Sequence, residues 1–186
     1  MKKFYFFFFL FFLTKKNFYE CTNCFCDEKK CPIIGYNYLY NEKSNINITY
    51  FYIEQDNGKI VVSNASTIIS YKSLDNGSST NKCVEEYSKS LNDLNNTKVD
   101  AGHILAKRLG GLGTEPLNIF PQNYTINRGI YAQYENEIYE LIYKKKIKSI
   151  KLEWKFYYKT KNNTRPYKIK YSYYNLYYNK SKIFPN

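Results

Sequence analysis

Residues 100–135 read DAGHILAKRLGGLGTEPLNIFPQNYTINRGIYAQYE, and this stretch decides the fold. Val99 to Leu105 is a short apolar run around Asp100 and His103, and Gly110-Gly111-Leu112-Gly113 breaks regular structure after it. Leu117 to Phe120 is a second short apolar run, stopped by Pro121. From Asn127 onward, Ile130, Tyr134, Ile138 and Leu141 recur at spacings of four, four and three. That period predicts an amphipathic helix from about Asn127 to about Tyr143. The stretch therefore predicts strand, glycine loop, strand and helix in close succession.

His103 is the only histidine in the chain. A lone histidine is most often a surface or packing residue, but imidazole is also the commonest general base. Here it sits between a strand and a glycine-broken loop, where Gly102 allows close backbone approach beside the imidazole and Asp100 can accept a hydrogen bond. Glu135 lies eight positions after Asn127. On a regular helix that places it about 80° round and roughly 12 Å along, so both side chains can face one cleft. Asn and Glu oxygens suit a hard cation such as Mg²⁺, which keeps several of its own waters. Each residue also has a plainer reading. Asn127 can be a helix N-cap, Glu135 a solvated helix face, and the glycines an ordinary loop.

Taken together, Asp100-Ala-Gly-His103, Asn118-Ile-Phe-Pro-Gln, Ile126-Asn127-Arg128-Gly129 and Glu135 resemble the DNA/RNA non-specific endonucleases of the ββα-metal (His-Me finger) superfamily. The resemblance covers roughly residues 98–174. It implies an α+β fold with an antiparallel sheet and a metal-site helix, and a Mg²⁺-dependent endonuclease (Mn²⁺ being the other candidate ion) acting on DNA, or RNA as well. Carried over by position, His103 matches the general base. Asn127 matches the side-chain metal ligand, and Glu135 the carboxylate that holds metal-bound water. Asn118 matches the residue that positions groups around the site, and Asp100 a structural position. The chain departs from the common pattern at Ala101, where many members have an arginine. Lys107, Arg108 and Arg128 are the candidates to replace it as nucleic-acid contacts.

Outward from this segment, residues 33–40 and 45–53 read as strands, rich in Ile and Tyr. Asn57-Gly58 is a turn signal before a short strand from Lys59 to Val62, with Ser66 to Tyr71 as a further one. Residues 73–82 read as a polar loop, and Val84 to Leu94 as a short helix. Ser149 to Tyr158 and Pro166 to Tyr174 read as two strands around a turn at residues 161–164. Nothing separates two domains after residue 33, so the domain organisation reads as 1–16, 17–32 and 33–186.

Residues 1–16 open Met1-Lys2-Lys3, followed by an apolar run from Phe4 to Leu13. A basic start and about ten apolar residues read as a secretory signal, too short for a span of roughly 20. A retained membrane anchor is the rival reading; otherwise no stable membrane partner is expected. Cys21, Cys24, Cys26 and Cys31 cluster in residues 17–32, and Cys83 stands apart. In an oxidising compartment they suggest disulfides, with a zinc knuckle as the rival. Asn47, Asn64, Asn76, Asn95, Asn123, Asn162 and Asn179 open glycosylation sequons.

The formal net charge is +12, from 28 Lys+Arg against 16 Asp+Glu, beside 22 Tyr and 13 Phe. Apolar residues make up 44% of the chain, which argues against a disordered polyelectrolyte. Residues 1–140 are electrically balanced, and residues 141–186 carry the excess around a single acid, Glu153. This points to an anionic partner, with solubility as its plainer cause. Lys168, Lys170 and Lys180 are candidate phosphate contacts on a strand-borne platform beside the metal site. Tyr171, Tyr173, Tyr174, Tyr177 and Tyr178 are either strand packing or stacking rings for bases. Two other functions compete with a nuclease: a degenerate module that binds nucleic acid or anionic glycan without cutting, and a basic membrane-surface protein.

Overall fold

The computed structural model describes residues 31–94 and 97–186. The signal segment 1–16, the cysteines at 21, 24 and 26, and the sequon at Asn95 lie outside the described residues. Eight strands and two helices longer than one turn carry the fold: β1 (Gly35–Asn41), β2 (Ile46–Glu54), β3 (Ile60–Ser70), α1 (Lys82–Ser90), β4 (Val99–His103), β5 (Ile119–Asn123), α2 (Ala132–Tyr143), β6 (Ser149–Tyr157), β7 (Lys168–Tyr174) and β8 (Asn179–Pro185). Six strands form one antiparallel sheet in the order β1-β2-β3-β6-β7-β8, and β4 pairs antiparallel with β5 as a separate ribbon.

Two strands predicted at residues 59–62 and 66–71 are one strand, β3, from Ile60 to Ser70. A bulge opposite Phe51 and Tyr52 absorbs the break in alternation between them: the extra residue Ser63 restores the face of the residues after it. β8 is an additional strand that the sequence pattern hid. Its run Asn179 to Ile183 is exposed, so no apolar alternation marks it.

Alternation splits the large sheet into two faces. The inner face buries Ile48, Tyr50, Tyr52, Leu152, Trp154, Phe156, Ile169, Tyr171 and Tyr173. The β4–β5 ribbon docks on that face. Phe120 of β5 meets Phe156 of β6 edge-on at 5.2 Å. Tyr52 donates its hydroxyl to the carbonyl of Leu117 at 2.8 Å. Helix α2 covers the β7–β8 end, where Tyr134 packs edge-on to Tyr171 at 5.2 Å and donates to two sheet carbonyls. Tyr171 and Tyr173 are therefore core residues and not stacking rings. Tyrosine rings supply apolar area to this core, and the hydroxyls of Tyr52 and Tyr134 reach backbone acceptors.

The same alternation corrects the lysine platform. Lys168 and Lys170 share the outer face with Lys155, on the side opposite Phe156. The sheet thus stands between them and the ribbon that carries His103. Lys180 points the other way and bonds Glu137 of α2 at 2.7 Å. Among the described residues no helix is long and apolar enough to cross a membrane.

Candidate active site

His103 ends β4, paired with Ile119 of β5. Its Nε2 lies 3.0 Å from the carbonyl oxygen of Ser78. A carbonyl only accepts, so Nε2 carries the proton and donates it; the lone pair is left on Nδ1. Burial pulls the imidazole below its usual pKa of 6.5, the Ser78 bond opposes this, and the nearby Lys107 adds to the lowering. The neutral ring is thereby favoured, with its lone pair on Nδ1.

The Ser78 carbonyl is fixed in turn. It also accepts from the backbone of Gly113 at 3.1 Å, and the Ser78 amide donates to Gly111. The imidazole packs against Gly113, where an added Cβ would sit 2.4 Å from Nε2. Glycine at 113 is thus a steric requirement of the histidine's seat. Gly102, expected to serve that purpose, instead opens toward Gln122, which an added Cβ would strike at 2.2 Å. Sequence spacing could not find Ser78: it lies 25 residues upstream in a stretch that reads only as a polar loop.

The helix after β5 starts earlier than the apolar period predicts. Asn123, not Asn127, is the cap, its side chain accepting from the amides of Thr125 and Ile126 at 3.0 and 3.1 Å. A short turn Tyr124–Ile126 leads into a π-helical stretch Asn127–Tyr131, kinked at Gly129, and then into α2. Asn127 is inside the helical run, so its side chain is released from capping. Its Nδ2 donates to Oδ2 of Asp100 at 2.9 Å, which fixes the amide's orientation. Its Oδ1 accepts no hydrogen bond from a described residue. Arg128 grips the same carboxylate with Nε and Nη2 at 3.0 and 3.1 Å. These donors, Arg128 and Asn127, outweigh burial and hold Asp100 ionised below the usual range.

An open cleft of about 510 Å³ collects these groups. Asp100, Ala101, His103, Lys107, Asn127 and Arg128 line it, with Ser79, Thr80 and one side of α1. Four of the seven residues predicted for the site therefore share one cleft: His103, Lys107, Asn127 and Arg128. Lys107 is exposed and bonds Ser79 Oγ at 3.0 Å. Arg128 lies over the Tyr124 ring at 4.0 Å. Both stand in the cleft whose wall at Ala101 lacks a cation.

The other three lie elsewhere. Arg108 turns toward α2, bonding Asn136 and lying over the Tyr139 ring at 4.1 Å. Asn118 is fully buried: its Oδ1 accepts from Tyr50 and the Leu105 amide, and its Nδ2 donates to Leu105 and Leu112. It braces the glycine loop from behind and does not reach the cleft. Glu135 does not line the cleft either. The 80° estimate assumed a regular helix, whereas a π-helical stretch kinked at Gly129 separates Glu135 from Asn127. Burial pushes the Glu135 carboxyl up to about 8, against the opposing pull of Arg108.

A cation would suit this donor set. Asn127 presents a positioned amide oxygen, and a carboxyl that burial holds partly neutral is one a nearby cation returns to carboxylate. No cluster of three His, Cys, Asp or Glu side chains occurs among the described residues, so an ion here takes few protein ligands and keeps most of its waters.

Comparison with known proteins shows the family and the fold. A family model described as DNA/RNA non-specific endonuclease matches residues 40–175. "Probable deoxyribonuclease RhsA" of Dickeya dadantii (strain 3937) is 39% identical over 128 residues, which is 69% of this chain and 8% of that protein. NucA from Streptococcus agalactiae with no metal bound shares the fold at a TM-score of 0.51 and 13% identity, over 83% of this chain and 81% of NucA. Its magnesium-bound form gives 0.50 at 12% identity, over 81% and 84%. The ββα-metal fold is thus the fold of this protein, and the chain belongs to the DNA/RNA non-specific endonuclease family.

Proposed function

We propose that the protein is a secreted, metal-dependent endonuclease that hydrolyses phosphodiester bonds of DNA, and of RNA as well, without reading sequence. The observation that carries this is the Ser78 carbonyl on Nε2 of His103: it leaves Nδ1 as an unprotonated base in a cleft beside Asn127, Lys107 and Arg128. In this reading Nδ1 takes a proton from a water, whose oxygen then attacks phosphorus. The bond from phosphorus to the leaving sugar oxygen breaks, and that oxygen takes up a proton from solvent. Lys107 and Arg128 hold the phosphate oxygens, and Arg128 keeps Asp100, and through it Asn127, in position. Asn127 would hold the ion directly, and Glu135 through a water. A bound Mg²⁺ (or Mn²⁺) supplies Lewis-acid stabilisation of charge on the phosphoryl and leaving oxygens. Contacts to phosphate alone suffice for a substrate read without sequence, and they make affinity fall with salt.

Secretion is part of the proposal. It rests on residues 1–16 and on Cys31 and Cys83, which we read as disulfide-bonded. It is also compatible with the exposed sequon asparagines Asn47, Asn64, Asn76, Asn162 and Asn179. Purified protein is expected to degrade plasmid DNA with Mg²⁺ and to stop with EDTA. His103→Ala should cut the rate by about 10²–10⁴-fold, the share a general base contributes, with an unchanged circular-dichroism spectrum. Full activity in His103→Ala would remove this mechanism. Salt-sensitive binding without turnover across several divalent metals would favour the binding-module reading.

A further inference from the structure

The charged strands left unused by the cleft form a groove of their own. One rung of the sheet crosses all six strands: Tyr36 on β1 pairs with Phe51, Phe51 with Asn64, Asn64 with Lys155, Lys155 with Lys170, and Lys170 with Ile183 on β8. All these side chains lie on the outer face, and Tyr36, Asn64, Lys155, Lys170 and Ile183 are exposed. The bulge beside Phe51 bends the sheet here, and an open groove of about 340 Å³ follows the rung, with Thr49, Ser66 and Ser172 on its floor. That volume is within the range of ligand clefts.

The two walls differ in chemistry. On one side Tyr36 meets Phe51 edge-on at 5.0 Å, and Tyr36 is 64% exposed. On the other, Lys155 and Lys170 stand directly opposite each other across β6 and β7. Like charges facing across a sheet destabilise it. Glu153, one rung away, offsets them only in part: its charge reaches Lys170, but it bonds Lys151 at 2.9 Å and Tyr174 at 2.6 Å. Among the described residues neither Lys155 nor Lys170 forms an ion pair. Lys168 extends the positive wall by one rung. Strands are about 4.8 Å apart, so rings and lysines lie roughly two strands from each other across polar side chains.

We propose that this groove is a second, non-catalytic nucleic-acid site that holds a single strand, with a base against Tyr36 and Phe51 and phosphates on Lys155 and Lys170. An unpaired base offers a face to a ring while its backbone follows a cationic wall. A duplex keeps its bases stacked inside and would use only the lysines. The site lies on the sheet face opposite the His103 ribbon, so it retains a strand without competing for the cleft. The inference goes beyond the nuclease reading and does not depend on turnover.

The test is fluorescence anisotropy of labelled oligo(dT) with full-length protein in EDTA, across a salt series. Lys155→Ala/Lys170→Ala should weaken binding by about tenfold or more and lower the log–log salt slope by about 1.4, from ~0.7 per phosphate neutralised on a single strand. Its melting temperature should not fall, because the facing charges are gone; Lys155→Gln alone is the second variant, with half the slope change. Phe51→Leu should weaken oligo(dT) and leave inorganic polyphosphate binding unchanged. Cleavage of a short dinucleotide diester should be the same in all of these as in wild type. Wild-type plasmid degradation with Mg²⁺ reports separately on the nuclease reading. Unchanged oligo(dT) affinity and slope in the double variant would overturn the proposal. So would a sulfated polysaccharide outcompeting oligo(dT) equally in wild type and Phe51→Leu, or a glycan found on Asn64, which would fill the groove.

Discussion

His103 illustrates how far one residue's identity reaches. Its type and its place in Asp-Ala-Gly-His name a candidate base, but which nitrogen is free depends on Ser78, far upstream. Because the chain has one histidine, its titration can be followed without assignment by proton NMR. It should titrate below 6.5, since burial and Lys107 both disfavour the charged ring. Lys107→Ala should move that midpoint upward. A downward or absent shift would show that Lys107 does not face the imidazole. The sign for stability is set by the same shift: a ring whose folded pKa is depressed contributes stability above the unfolded pKa, and this is lost as pH falls from about 6.5 through the folded value. Asp100 shows the converse limit. Sequence offers it as a local structural residue, whereas the fold makes it the acceptor that sets the Asn127 amide and the anchor of Arg128.

At the scale of elements, the helix after β5 was legible in its existence and end but not in its start or its phase. The apolar period of Ile130, Tyr134, Ile138 and Leu141 reports only the packed face, and the true cap, Asn123, lies upstream of the first apolar residue of that series. Asn123→Ala should therefore cost about 1 kcal/mol and lower the melting temperature, measurable by thermal denaturation. If Asn127 were the cap, Asn123→Ala would be neutral. The π turn has no sequence period to reveal it, and it changes the helical phase between Asn127 and Glu135. Strands β2, β6 and β7 were legible to within a residue or two because half-buried strands alternate. β8 was not, because its lysines and serines leave only Phe184 buried.

For the whole molecule, the site depends on a two-stranded ribbon held against a six-stranded sheet. Phe156→Ala removes the ring against which Phe120 packs. A buried Phe→Ala costs about 3–5 kcal/mol, so this variant should lose activity through unfolding at temperatures where the wild type is folded. Urea denaturation followed by tryptophan fluorescence of the buried Trp154 would show a lower midpoint; an unchanged midpoint would mean the ribbon is not docked there. The net charge changes meaning at the same scale. Read along the chain, the basic C-terminal strands lie beside the catalytic segment. Folded, strand alternation places Lys155, Lys168 and Lys170 on the face away from it, while Lys180 pairs with Glu137. The motif residues carried the resemblance to the family and singled out His103 as a candidate base, and periods of two and 3.6 along the chain marked the α+β class and most of the strands. Only the tertiary structure decided the free nitrogen of His103, the burial of Asn118, the phase of Glu135 and the face that carries the charge. Each of those depends on contacts between segments that spacing along the chain does not encode.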